Sequence, residues 1–270
     1  MPLPAATTAT RVDLTGRAVL ITGASGGLGH PLALACAAGG ATVVLHGRVV
    51  RKLEALYDEI VARGHPQPTI LPLDFAKASR ADFDNVAGAL RLQLGRLDGV
   101  VHTAAFLGSL SPVEHQDPDA WRMAFDVNVT SALALTRATM PLLGSAVDAS
   151  VIFTLDSRGI DPRAFWGAYA SSKAALAALA ATLADEWENR SNLRVNAVVP
   201  GPIRSPLRAR THPGEETSSL PPVEALVPLY LYLLGSQPKA ESGALVDARA
   251  WLSGQPAVRS LVSSSTTARP

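Results

Sequence analysis

The sequence is poor in cysteine, in aromatic side chains, in lysine and in charge of either sign. Its 270 residues include one cysteine, Cys36, so no disulfide can form within the chain and no cysteine-rich zinc site can be built. No metal site is expected. The lack of cysteine fits a reducing compartment, and a cytoplasmic location is expected. Lys plus Arg number 24 and Asp plus Glu 23, a formal net charge of +1, which gives the chain no global attraction to nucleic acid or to an anionic membrane surface. Charged residues make up only 17% against 47% apolar ones, a balance that excludes disorder as the main state. Long hydrophobic runs are missing too. The strongly apolar stretch 174–184 is stopped by Asp185 and Glu186 after about half the length a bilayer requires. Residues 1–10 contain no basic side chain and no apolar core, so they are read as a frayed tail rather than a signal peptide. The small, polar stretch 263–270 is read the same way.

What is present is alternation. Short apolar runs at 18–22, 42–45, 69–73, 99–103, 150–154 and 194–198 predict strands. Between them, 28–38, 49–61, 81–94, 120–143 and 166–189 predict helices, with Pro31 tolerable only in a first turn. Several strands are apolar on both faces, as a parallel sheet covered by helices on both sides requires. The fold class predicted is α/β: one doubly wound, Rossmann-type parallel sheet with helices on both faces. No repeat or linker divides the chain, so a single domain over 1–270 is expected, with an ordered core at about 11–255.

Sheets of this kind bind ligands beyond the carboxyl ends of their strands. The loop after the first strand reads Thr22-Gly23-Ala24-Ser25-Gly26-Gly27-Leu28-Gly29 and opens a helix. Glycines admit a pyrophosphate close to the backbone, and a helix N-terminus offers N–H donors and partial positive charge. The spacing of Gly23, Gly27 and Gly29 differs from the G-x-G-x-x-G of ordinary dinucleotide folds. A second feature is Tyr169-Ala-Ser-Ser-Lys173. The chain has four Tyr and four Lys, so this pairing is expected by chance about 0.06 times. Spacing i, i+4 puts both on one helix face. The chemistry it suggests is a phenol acting as general acid, its pKa lowered by the ammonium, against the plainer reading of an amphipathic surface pair.

Together with Asn128 in Val-Asn-Val and Pro200-Gly201 after the sixth strand, these residues resemble the short-chain dehydrogenase/reductase family over about residues 16–247. The resemblance implies hydride transfer with a nicotinamide cofactor and a small-molecule substrate. It implies that Tyr169 exchanges the substrate proton, that Lys173 holds the nicotinamide ribose and tunes Tyr169, and that Asn128 holds a relay water. It implies cofactor contacts at Gly23, Ser25, Gly27, Leu28, Gly29 and Ala104, and at Pro200, Gly201, Ile203 and Ser205 beside the nicotinamide. Asp74 would touch the adenine; a loop acid or helix cap explains it equally well. Cofactor choice is read at Leu45-His46-Gly47-Arg48. No acid is there to hold a ribose 2′-OH, and the Arg48 guanidinium suits a 2′-phosphate, so NADP(H) is favoured over NAD(H). Arg51 or Lys52 could assist.

The chain departs from the family in two places. His102-Thr103-Ala104-Ala105 replaces the usual Asn-Asn-Ala-Gly, with His102 read as a packing or hydrogen-bonding substitute. Thirteen residues before Tyr169, where the family has its catalytic serine, stands Asp156, with Ser157 beside it. A carboxylate cannot donate to a substrate oxygen and would repel an oxyanion. The run 155–158 through Tyr169 is similar to the pteridine reductases, which carry aspartate there, while 166–169 and 228–233 look more like bacterial oxidoreductases of undefined substrate. Three readings stay open: a carbonyl reductase using Ser157 or Asp156, a pterin-like C=N reductase using Asp156 and Tyr169, and a cofactor-binding member with weakened catalysis. The stretch 202–220 is read as a lid, with Arg204, Arg208 and Arg210 facing an acidic substrate or only solvent. The alanine-rich helix after Tyr169 and the helix 120–143 suggest a homo-oligomer, a dimer or tetramer.

Overall fold

The computed structural model describes residue 3 and residues 12–236 and 241–262; the tails read at 1–10 and 263–270 lie outside the described residues, Leu3 apart. Its strands are β1 (Ala18–Thr22), β2 (Thr42–Gly47), β3 (Thr69–Pro72), β4 (Gly99–His102), β5 (Ala149–Thr154), β6 (Leu193–Val199), β7 (Ala244–Asp247) and β8 (Val258–Ser260). They form one sheet in the order β3-β2-β1-β4-β5-β6-β7-β8. All pairs are parallel except β7 with β8. The order reverses between β1 and β4, and such a switch point opens a crevice at the strands' carboxyl ends. Every residue of β1, β4, β5 and β6 is buried, because helices cover both faces and two apolar cores form, one on each side.

The helices are α1 (Gly29–Ala38), α2 (Val50–Ala62), α3 (Arg80–Leu94), α4 (Pro118–Phe125), α5 (Ser131–Gly144), α6 (Ser157–Ile160), α7 (Gly167–Glu186), α8 (Pro206–Thr211), α9 (Val227–Leu234) and α10 (Ala248–Leu252). Pro31 is the third residue of α1, where a missing N–H costs nothing. Ser79 and Asp82 form a capping box that starts α3.

Two expectations need correction. The single helix expected over 120–143 is broken: a π-turn at Asp126–Thr130 joins α4 to α5, closed by Ser131 N–H on Asp126 C=O. One residue more than the α repeat allows is accommodated there, and Asn128 sits in it. The sheet does not end at the sixth strand, since β7 and β8 extend it, and β8 lies beyond the core limit expected near 255. The stretch 202–220, read as a lid, contains α8 and a 3₁₀ turn at Thr217–Ser219. Within it Arg208 pairs with both oxygens of Glu215, and Arg204 donates to the carbonyls of Thr217, Ser218 and Leu220.

Candidate active site

A cavity of about 430 Å³ opens at the carboxyl ends of β1, β2, β4, β5 and β6. Its floor is the glycine loop. At Gly29 a Cβ would lie 2.2 Å from the Gly23 carbonyl oxygen, so only glycine lets α1 settle this closely onto the turn. At Gly27 a Cβ would meet Pro206 Cδ at 2.8 Å, so the start of α8 closes directly over the loop. Gly23, Ser25, Gly27 and Leu28 line the cavity; Gly29 shapes the turn from behind without lining it.

Buried polar ties hold this loop to its neighbours. Thr22 Oγ1 accepts the N–H groups of Thr103 (3.0 Å) and Ala104 (3.1 Å), joining the loops after β1 and β4. His46, 2% exposed, donates from Nε2 to the Leu73 carbonyl at 3.1 Å and accepts the Gly23 N–H at Nδ1 over 3.3 Å. Burial pushes its pKa down to about 4, so the ring stays neutral and keeps the acceptor that Gly23 needs. Its ring stacks on Phe75 at 4.0 Å. The sequence placed His46 within the Leu45–Arg48 segment read for cofactor choice, without a role of its own, and did not mark Phe75.

Beyond β2 the cavity is walled by Gly47, Arg48 and Lys52, with Phe75 and Ala76 opposite. A Cβ at position 47 would lie 3.1 Å from Leu53 Cδ2, so a longer side chain has little room there. Arg51 does not line the cavity. Neither does Asp74, whose carboxylate accepts the Ala76 N–H at 3.2 Å in a local turn.

At the other end stand Tyr169, Lys173, Asp156 and Ser157, all lining the cavity. Asp156 caps the short helix α6, its Oδ1 accepting the Arg158 N–H at 2.8 Å. The cap turns Oδ2 toward Tyr169, whose hydroxyl donates to it at 3.1 Å. The Ser157 hydroxyl points back at Asp156 Oδ1, 3.5 Å away. Lys173 is 3% exposed; Nζ donates to the Thr154 carbonyl at 2.8 Å and lies 5.8 Å from the Tyr169 ring centre. Burial pushes the lysine pKa down to about 8, with Asp156 acting the other way. The lowering of the Tyr169 pKa expected from Lys173 is not what the surroundings give. Burial, then the charge and hydrogen bond of Asp156, push it well above the ordinary phenol value and keep the proton on the ring.

Asn128 is buried behind this wall rather than lining it. Its Oδ1 accepts the Phe106 N–H at 2.7 Å, and its Nδ2 donates to Phe106 C=O and Ser172 Oγ at 2.9 Å each. Its side chain thus clamps the loop after β4 to α7. His102 bonds Thr136 Oγ1 at 2.9 Å and stacks on Phe153, with burial driving its pKa to about 3, a neutral packing residue as expected. Ala104 lines the cavity, as do Pro200, Gly201, Ile203 and Ser205, the last capping α8. Sequence reasoning did not bring Trp166 into the site as a side chain. It lines the cavity beside Tyr169, ring centres 5.9 Å apart.

A cradle of glycines at a helix N-terminus, cations beyond β2 with no acid at that strand's end, and a buried Tyr/Lys pair at the opposite end fit a dinucleotide and a reacting group meeting at Tyr169. This chain belongs to the short-chain dehydrogenase family: the profile described as short chain dehydrogenase matches residues 17–216. It is an oxidoreductase of that family. Among its relatives is the uncharacterized oxidoreductase YciK of Escherichia coli, 38% identical over 236 residues, which are 87% of this chain and 93% of that one. Oxidoreductase UcpA of Salmonella typhimurium is 32% identical over 80% of this chain and 82% of its own length. A short chain dehydrogenase from Escherichia coli, solved in complex with NADPH, superposes with a TM-score of 0.85 at 38% identity, covering 89% of this chain and 99% of that one. One from Shigella flexneri, in complex with NADP, gives 0.85 at 36% identity over 89% and 100%.

Proposed function

We propose that the protein is an NADP(H)-dependent reductase that transfers hydride to a small carbonyl compound, with Tyr169 giving the proton. The observation that carries this is the Tyr169 hydroxyl at the cavity wall, protonated, held at 3.1 Å by Asp156 and flanked by the Lys173 ammonium. When bound, the cofactor supplies the hydride. The glycine loop would cradle its pyrophosphate, and Arg48 with Lys52 would take a 2′-phosphate as charge-assisted contacts. Leu28, Ala104, Pro200, Gly201, Ile203 and Ser205 would line its path, and Asp74 acts there only indirectly, by shaping the Phe75–Ala76 turn. Lys173 supplies positive charge where phenolate develops as Tyr169 releases its proton. Asn128, in the π-turn, fixes the loop and helix that carry the relay. NADP complexes of close structural neighbours support the choice of NADP(H) over NAD(H).

Asp156 favours a second reading, reduction of a pterin-like C=N bond. A carboxyl bonded to Tyr169 passes a proton to a ring nitrogen more readily than it steadies an oxyanion. An assay following NADPH absorbance decides, with ketones, aldehydes and dihydropterins side by side. Turnover of one class, abolished by Tyr169→Phe, is expected. Tight NADPH binding with no turnover of any would leave the third reading, a cofactor-binding member with weakened catalysis.

We also propose one domain with residues 202–220 as its lid, a cytoplasmic location, and a homo-oligomer, dimer or tetramer. α5 presents Leu133 at 51% exposure, and α7 carries small residues that allow close helix approach. A monomeric mass by light scattering at micromolar concentration would exclude the oligomer.

A further inference from the structure

Among the described residues seven cationic side chains line the cavity or belong to the lid stretch; Arg210 lies exposed away from the cavity, and five of the other six have assigned work. Arg48 and Lys52 stand at the β2 end, and Lys173 is buried on the Thr154 carbonyl. In the lid, Arg208 is neutralised by Glu215, and Arg204 is spent on three lid carbonyls. The sixth is Arg158, the second residue of α6, half-buried on the cavity wall two positions after Asp156. Among the described residues its guanidinium has no carboxylate partner. Instead it lies over the Trp166 indole, 5.2 Å from the ring centre. The centre of that same indole lies 5.9 Å from the Tyr169 ring centre and 6.1 Å from that of lid residue His212.

A guanidinium lodged on an aromatic face is partly desolvated and held in one orientation, its N–H fork still free for an anion. Asp156, the only acid lining the cavity among the described residues, accepts the Arg158 backbone N–H and the Tyr169 hydroxyl. Its oxygens make neither a hydrogen bond nor an ion pair with the Arg158 guanidinium.

We propose that Arg158 is the substrate anchor, and that the substrate carries an anionic group, of which a carboxylate matches the fork best. Trp166 separates that group from the reacting centre by about one indole ring. A flat apolar or aromatic portion of the substrate rests against Trp166, the anion meets Arg158, and the reducible group meets Tyr169. Arg210, exposed and away from the cavity, has no part in it. This deepens the reductase reading and rests on it.

The test is calorimetric, on the full chain saturated with NADP⁺, using benzoate and the shape-matched neutral benzamide. Wild type should bind benzoate at least tenfold more tightly than benzamide. Arg158→Met, which keeps the aliphatic stem, should bring that ratio to about one, and Arg158→Lys should restore part of it, because charge returns without the fork. Should the methionine variant not fold, Arg158→Gln serves the same purpose. Equal binding of the two probes by wild type, or a benzoate preference that survives loss of the charge, overturns the proposal. A wild-type protein that does not bind NADP⁺ overturns the reductase reading itself, so the two failures are distinct.

Discussion

Lys173 is where the structure places function in conflict with stability, and Lys173→Met measures the conflict. The side chain is 3% exposed, and burial lowers its pKa from 10.5 to about 8. At 1.36 kcal/mol per pKa unit, keeping it charged inside the fold costs about 3 kcal/mol. Methionine fills nearly the same volume without charge. It leaves the Thr154 carbonyl without the Nζ donor at 2.8 Å, a loss of about 1–2 kcal/mol. The cofactor-free variant should therefore be more stable than wild type at pH 7 by about 1–2 kcal/mol. The sign follows from linkage. Below about 8 both folded and unfolded states hold the proton, so the penalty is present in full. Between about 8 and 10.5 the folded state releases a proton that the unfolded state keeps, so wild-type stability rises with pH relative to the variant. Above 10.5 the penalty is gone and the variant, lacking the hydrogen bond, becomes the less stable protein. Urea unfolding of both proteins from pH 7 to 11 reads this directly, because titrations elsewhere cancel in the difference. A stability difference that does not change with pH, or a variant much less stable at pH 7, refutes the reasoning. In the active enzyme the same titration should appear as a fall in kcat/KM for reduction as pH rises through about 8.

Tyr169→Phe keeps the ring and removes the proton, so turnover should fall about 10²-fold or more with little change in NADPH affinity; a variant that keeps most of its rate excludes Tyr169 as the donor. Asp156→Asn keeps the helix cap but removes the charge that raises the pKa of both Lys173 and Tyr169, so the alkaline fall in kcat/KM should move to lower pH, whereas Ser157→Ala should have the smaller effect on rate; the reverse order would make Ser157 the substrate's donor. Arg48→Ala should weaken NADPH by about 1–3 kcal/mol and leave NADH nearly unchanged, and equal losses in a fluorescence titration would show that Arg48 does not read the phosphate.

The strands and the flanking helices were legible because each is a run or period that the local sequence carries by itself. The π-turn at Asp126–Thr130 was not, since one extra residue within a helix leaves the apolar pattern almost unchanged. Nor was α9: Val227–Leu234 is apolar all round, which fits a buried helix or a strand equally. β7 and β8 are four and three residues long and make sense only beside β6. In the site, the glycine loop, Tyr169/Lys173 and Arg48 were visible through spacing. The roles of His46 and Trp166 were not, because their contacts join segments distant in the chain. The expected direction of the Tyr169 pKa failed for a related reason: sequence shows a neighbouring lysine, while burial and the facing carboxylate appear only in three dimensions.

Asp156 joins these scales. It is the N-cap of α6, and that cap fixes its carboxyl with Oδ1 on the Arg158 N–H and Oδ2 on the Tyr169 hydroxyl. Serine and aspartate are both good N-caps, so either residue ends β5 and starts α6 in the same way. The backbone geometry around Tyr169 is thus indifferent to which of them stands there, while the chemistry is not. Serine would offer a neutral donor to the substrate. A carboxylate offers an acceptor and a charge that hold the proton on Tyr169 until something in the cavity takes it. The same cap sets Arg158 two residues further on, with its guanidinium over Trp166. One helical cap therefore places the carboxylate that faces Tyr169 and the turn that carries Arg158, so in the proposed scheme the spacing between proton delivery and anion binding is built into α6 rather than into the stretch 202–220.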